Sequence, residues 1–110
     1  MMVRKTELPL QEVSVVKKFQ FSVPKVVMTM LDINPPEDIW TAVDPETKRV
    51  FISKEKPVID GYPVLKTRVS RSYQAVLRSK LHKYLPVQPG DRILMKLDVQ
   101  TLRIYLEKAE

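Results

Sequence analysis

Between Gly61 and Gly90 the chain carries Lys66, Arg68, Arg71, Arg78, Lys80, His82 and Lys83 and not one Asp or Glu. Side chains of this type attract polyanions, because each phosphate neutralised by Lys or Arg releases counterions condensed on a nucleic acid. The spacing predicts a strand over Leu65–Val69, followed by a helix capped by Ser70 or Ser72 and running to about Tyr84. On that helix Tyr73, Val76, Leu77, Leu81 and Tyr84 share an apolar face, and Arg71, Gln74, Arg78 and His82 fall opposite. A helix face of this kind also serves as ordinary solvated surface, so charge alone leaves both readings open. Catalytic constellations are missing. One histidine, no cysteine and two glycines exclude thiolate chemistry and histidine-rich metal sites and argue against a phosphate-cradling glycine loop. His82 has no partner to make it a catalytic base, and Trp40 and Tyr105 sit in strand patterns as core residues rather than base-stacking platforms. The expectation is a protein that binds without catalysing and without a cofactor.

The elements that must position these groups are read from 110 residues, the usual length of one domain or of two very small halves sharing a core. The net charge of +6 is lopsided: residues 1–54 hold eight Lys/Arg and seven Asp/Glu, residues 55–110 eleven and six. The absence of cysteine allows an intracellular setting. The start, MMVRKTELPLQEV, has no apolar core of signal-peptide length, and no segment approaches the roughly 18 apolar residues of a membrane span, so a soluble, cytoplasmic protein is expected, nucleoid-associated where the basic stretch holds DNA. Residues 1–11 read as an N-terminal arm. Glu12–Val23, rich in Val and Phe, reads as a strand with a bend at Lys17 and Lys18. Pro24 opens a short helix that Asn34-Pro35-Pro36 stops. A hairpin follows over Ile39–Val43 and Lys48–Ile52, turned by Asp44-Pro45-Glu46-Thr47. Residues 54–63, with two prolines and a glycine, read as a linker.

After the linker the pattern recurs. Pro35-Pro36-Glu37-Asp38-Ile39-Trp40 matches Pro89-Gly90-Asp91-Arg92-Ile93-Leu94 at a shift of 54, which also superposes Asp44 on Asp98, Thr47 on Thr101 and Arg49-Val50-Phe51-Ile52 on Arg103-Ile104-Tyr105-Leu106. Halves of about 40 ordered residues are too small to stand alone and should build one core.

The run VVKKFQFSVPKVVMTMLDINPPEDIW from Val15 resembles the AbrB/MazE/SpoVT class of transcription factors, whose pattern is Q-V/I-T-I/L-P-K, a short helix ending L-G-I, then K-P-G-D. Gln20 to Lys25 fill the first motif and Leu31 to Glu37 the second, while Leu85-Pro86-Val87-Gln88-Pro89-Gly90-Asp91 repeats the second. The resemblance implies a mainly β fold with short helices: a swapped-hairpin β-barrel built from two tandem β-α-β-β repeats, residues 12–53 and 64–110, closed within one chain as a pseudo-dimer in the manner of MraZ. It further implies a double-stranded DNA partner and a regulatory role, with Lys17, Lys18, Gln20 and Lys25 carried over from the first motif. Lys66, Arg68, Arg71, Arg78, Lys80, His82 and Lys83 join them on charge and position. Departures are Phe19 in place of the usual glycine, Met28 and Thr29 where arginines are common, and a second helix about six residues longer with no Pro-Lys pair before it. Exposed hairpins leave room for a homo-oligomer. An antitoxin-like protein-binding module and a non-specific DNA-coating protein are the alternatives. The last strand is expected to reach nearly to Glu110, without the toxin-wrapping tail usual in antitoxins of the class.

Overall fold

The computed structural model describes residues 7–110. Eight strands form one antiparallel sheet: β1 (Glu7–Val16), β2 (Gln20–Ser22), β3 (Glu37–Val43), β4 (Val50–Ser53), β5 (Val64–Val69), β6 (Gln74–Val76), β7 (Arg92–Asp98) and β8 (Arg103–Lys108). The helix α1 (Lys25–Leu31) lies between β2 and β3. Alternation decides which side of each strand is buried: in β1 Val13 and Val15 face the core, and Ser14 and Val16 face out. Pro9, which cannot donate to a ladder, sits where the β1–β7 register slips. α1 begins after Pro24 and ends at Asp32, whose left-handed backbone (φ 56°) fills the position usually given to glycine. Ile33 N–H then donates back to Met28 O at 2.8 Å, completing the cap.

The strand order is β5-β3-β4-β8-β7-β1-β2-β6. Its two ends meet where Ser70 N–H donates to Gln74 O (2.8 Å) and Thr67 Oγ1 donates to Val76 O (3.3 Å), so the sheet is nearly closed and barrel-like. Val15, Phe21, Val27, Ile39, Leu81 and Ile93 meet inside. A smaller apolar cluster lies on the outer side, where Ile59 and Val64 cover Ala42, Phe51 and Tyr105.

The shift of 54 runs through the register. Val13 pairs with Ile93 and Thr67 pairs with Ile39; since 13 + 54 is 67 and 39 + 54 is 93, exchanging the two halves turns one pair into the other. Phe21 pairs with Ala75 and Phe51 with Tyr105, each residue opposite its own equivalent. Turn chemistry follows the same rule: Glu46 N–H donates to Asp44 Oδ1 and Gln100 N–H to Asp98 Oδ1, both at 2.9 Å.

Two expectations need correction. The helix over Ser70–Tyr84 does not form. Ser70–Tyr73 is a turn, Gln74–Val76 is β6, and only Ser79–Leu81 coil, as a 3₁₀ turn. Pairing with β2 satisfies the backbone of Gln74–Val76 in a ladder, which overrides helical spacing, and Tyr73 and Val76 of the supposed buried face are exposed. The arm expected over residues 1–11 is strand from Glu7 onward, and its first six residues lie outside the described residues. By contrast, the bend at Lys17-Lys18, the helix after Pro24, both hairpins and the strand at Leu65–Val69 are present.

Candidate nucleic-acid interface

β2 and β6, three residues each, form a short ribbon within the sheet, β2 also pairing with β1, with Phe21 and Ala75 turned inward and Gln20, Ser22, Gln74 and Val76 turned outward. A turn is locked against each end. Leu77 N–H donates to Phe19 O (2.9 Å), and Val23 N–H donates to Tyr73 O (2.7 Å). Each half's turn therefore rests on the segment that follows the other half's ribbon strand. Lys18 and Phe19 in one turn and Tyr73 in the other adopt positive φ, which throws these side chains away from the strand path.

One end gathers most of the expected site. Lys17 and Lys18 are exposed beside the segment bearing Arg78, Lys80, His82 and Lys83. The join is aromatic: the Phe19 and His82 rings stack at 4.2 Å with an interplanar angle of 34°. His82 is half-buried, its Nε2 lying 3.2 Å from Leu77 O, so it is a packing group at the edge of the surface. Arg78 Nη1 donates to Lys66 O (2.8 Å), which joins this end to β5. On β5, Arg68 is paired with Asp38 at 3.5 Å, and the Lys66 ammonium lies over the half-buried Trp40 ring at 5.6 Å. The other end holds Arg71 and, across the chain, Lys25, which shares a cleft with Tyr73. Gln20 lies on the ribbon between the two ends, half-buried opposite Val76.

Charge around the ribbon is uncompensated. Among the described residues Lys17, Lys18, Lys25, Lys66, Arg71, Arg78, Lys80 and Lys83 have no carboxylate within 4.0 Å. Asp32 borders the cleft that Lys25 and Tyr73 share and faces Lys54 at 3.5 Å, and the acids at the starts of β3 and β7 are engaged too: Asp38 with Arg68, Glu37 with Lys54 and Asn34 N–H, Asp91 with Lys108 and Gln88 N–H. Sequence reasoning put Gln74 on the polar face without counting it among the site residues, and took Tyr73 as buried where the structure exposes it. The shift of 54 lays Gln20 on Gln74 and Phe19 on Tyr73, and that signal was available.

The far end of the barrel is built differently. Buried Asp44 accepts from Tyr105 Oη (2.6 Å) through Oδ2, which also meets Arg103 at 3.2 Å. Burial alone would raise the Asp44 carboxyl, but the Tyr105 hydroxyl, the Glu46 and Thr47 N–H groups and the Arg103 charge together bring it below its usual value. Burial, reinforced by the bond to Asp44, pushes the Tyr105 phenol up. Arg49 lies over the Tyr105 ring at 4.3 Å and clasps Glu7 with both terminal nitrogens, and Arg103 lies over Phe51 at 4.2 Å. Glu7 and Arg49, and Asp44 and Arg103, answer one another here, so this end braces the fold. Among the described residues no cluster of His, Cys, Asp or Glu is arranged to hold a metal ion, and no helix is long and apolar enough to cross a membrane.

No family model matches the chain, and no curated protein matches it. A solved structure described as the solution structure of PHS018 from Pyrococcus horikoshii aligns over 99% of this chain and 99% of its own, at 12% identity and a TM-score of 0.47.

Proposed function

We propose that this chain is a tandem swapped-hairpin barrel of AbrB-like type that binds double-stranded DNA through the β2–β6 ribbon and its flanking turns, as a transcriptional regulator acting on the nucleoid. The observation that carries the reading is the uncompensated cationic surface around that ribbon, set against a far end where Arg49 and Arg103 are each paired with a carboxylate. The register supports the barrel type, because each half's first strand pairs with the other half's β3 or β7 rather than with its own. The strand pair offers the duplex its outward face, its edges being held by β1 and β5. On that face Gln20 and Gln74 stand outward at equivalent positions, and a glutamine amide can pair in bidentate fashion with adenine N6 and N7. Lys17, Lys18, Lys25, Lys80 and Lys83 would hold phosphates and set register, with Arg71 and Arg78 at opposite ends.

The test is fluorescence anisotropy of mixed-sequence duplex DNA at several salt concentrations. In the double variant Arg71→Ala/Arg78→Ala the slope of log K against log salt should flatten by about two, since each phosphate contact contributes roughly 0.9. A slope identical to that of the native protein removes these arginines from the interface, and absence of binding at low salt rejects the reading as a whole.

A further inference from the structure

The two ends of the ribbon are equivalent by the shift of 54 but not alike. At one, the Phe19 ring is covered by the His82 imidazole at 4.2 Å. At the other, Tyr73 stands where Phe19 would be and Met28 where His82 would be (19 + 54 and 28 + 54), and among the described residues no ring covers Tyr73. Instead the Tyr73 side borders a cleft of about 490 Å³ whose polar rim includes Lys25, Thr29, Asp32 and Asn34. Tyr73 is 42% exposed, while Met28 at the cleft wall is 5% exposed. The backbone that bears the ring is nonetheless fixed, because the Tyr73 carbonyl accepts from Val23 N–H (2.7 Å) and its N–H donates to Ser70 O (2.9 Å).

We propose that this cleft takes one unstacked nucleobase, laid against the Tyr73 ring as His82 is laid against Phe19. The inference rests on the nucleic-acid reading above and adds a single-stranded or locally opened strand to the ligands of the same face. An aromatic ring on a cationic surface is a stacking platform for any base. Lys25 on the rim and Arg71 on the same turn as Tyr73 supply the phosphate contacts on either side, neither having a carboxylate partner among the described residues. Asp32, whose carboxylate is 3.5 Å from Lys54, adds an acceptor suited to an exocyclic amino group, so cytosine and adenine fit better than thymine. Its charge would repel a phosphate, which orients the base, not the backbone, into the cleft.

The experiment uses the full chain and three fluorescent probes: oligodeoxycytidine, an abasic strand of the same length and charge, and a mixed-sequence duplex. The native protein should bind the base-bearing strand more tightly than the abasic one. Tyr73→Ala should weaken the base-bearing strand by about tenfold, within the range of one base–aromatic stack, and leave the abasic strand within about twofold, whereas Tyr73→Phe should retain binding to both. Equal affinity of the native protein for the two strands, or an unchanged preference in Tyr73→Ala, overturns the cleft while duplex binding leaves the wider reading standing. Failure of the native protein to bind any probe at low salt overturns both.

Discussion

The hydroxyl of Tyr105 separates the two halves at the level of a single atom. Its equivalent by the shift of 54 is Phe51, which has a ring in the same place and nothing to donate, so Asp44 gains a 2.6 Å hydrogen bond that Asp98 has no counterpart to supply. A hydrogen bond to a buried charged group contributes about 1.5–3 kcal/mol. Tyr105→Phe should therefore lower the urea-unfolding free energy by about 2 kcal/mol, with Arg103 keeping the carboxylate from being orphaned. The pH dependence has a definite sign. Because the Asp44 carboxyl is depressed in the folded state, its contribution is complete above the unfolded value of 3.8 and is lost as pH falls below it toward the folded value. The raised Tyr105 phenol works in the opposite sense: its contribution is present below the unfolded value of 10.0 and disappears as pH rises through the folded one. Urea midpoints measured across pH should show the gap between native protein and Tyr105→Phe closing in acid, and a gap independent of pH down to 2 would contradict the assignment.

Among the elements, the β2–β6 ribbon carries both the candidate site and the largest misreading. The 3.6-residue spacing of Val76, Leu77, Leu81 and Tyr84 is real, but it mixes residues from a ribbon strand with residues from a 3₁₀ turn that happen to fall in helical phase. Periodicity within one segment cannot reveal a partner strand 54 residues away. Comparison between halves can: extended upstream from Pro35 and Pro89, the repeat lays Gln20-Phe21-Ser22 on Gln74-Ala75-Val76 and predicts a strand in both. The first half was legible because Pro24 and Pro35 bracket α1 and the Asp44 turn marks its hairpin, signals local to the chain. The cations were legible as a group, and their division between two ends was not, since it depends on which half each turn rests against. The ribbon also separates two kinds of contact. Gln20→Ala with Gln74→Ala removes outward amides and no charge, so it should leave the salt slope unchanged while relaxing sequence preference by roughly 1–3 kcal/mol per lost bidentate pair. Site selection from a random DNA pool followed by salt titration would check this, and an altered slope with intact preference would reverse the roles given to glutamine and arginine.

For the molecule as a whole, the pairing between halves decides how it folds. The ladder from Glu7↔Asp98 to Ser14↔Arg92 and the ladder from Glu37↔Val69 to Ala42↔Val64 both join one half to the other. Within a half, β1 meets β2 only through Val15↔Phe21 and Val16↔Gln20. A separated half would lose the partner of its first strand and leave Val13, Val15 and Ile39 or their equivalents facing water, and a unit of that size buries too little surface to offset its chain entropy. Unfolding should therefore be a single cooperative transition, with the same midpoint by circular dichroism and by the fluorescence of Trp40, which lies in β3 opposite Lys66 of the other half. The linker offers a sharper test, because Val58 is 99% exposed while Ile59 packs on the outer cluster of Phe51 and Tyr105. Fragments divided at Pro57-Val58 should each be unfolded alone and should recover the native spectrum and cooperative melt when mixed, with a midpoint that rises with concentration as expected for association. If either fragment folds by itself as a monomer, the strand exchange is not what holds the barrel together, and the two basic turns would then not be obliged to share one face.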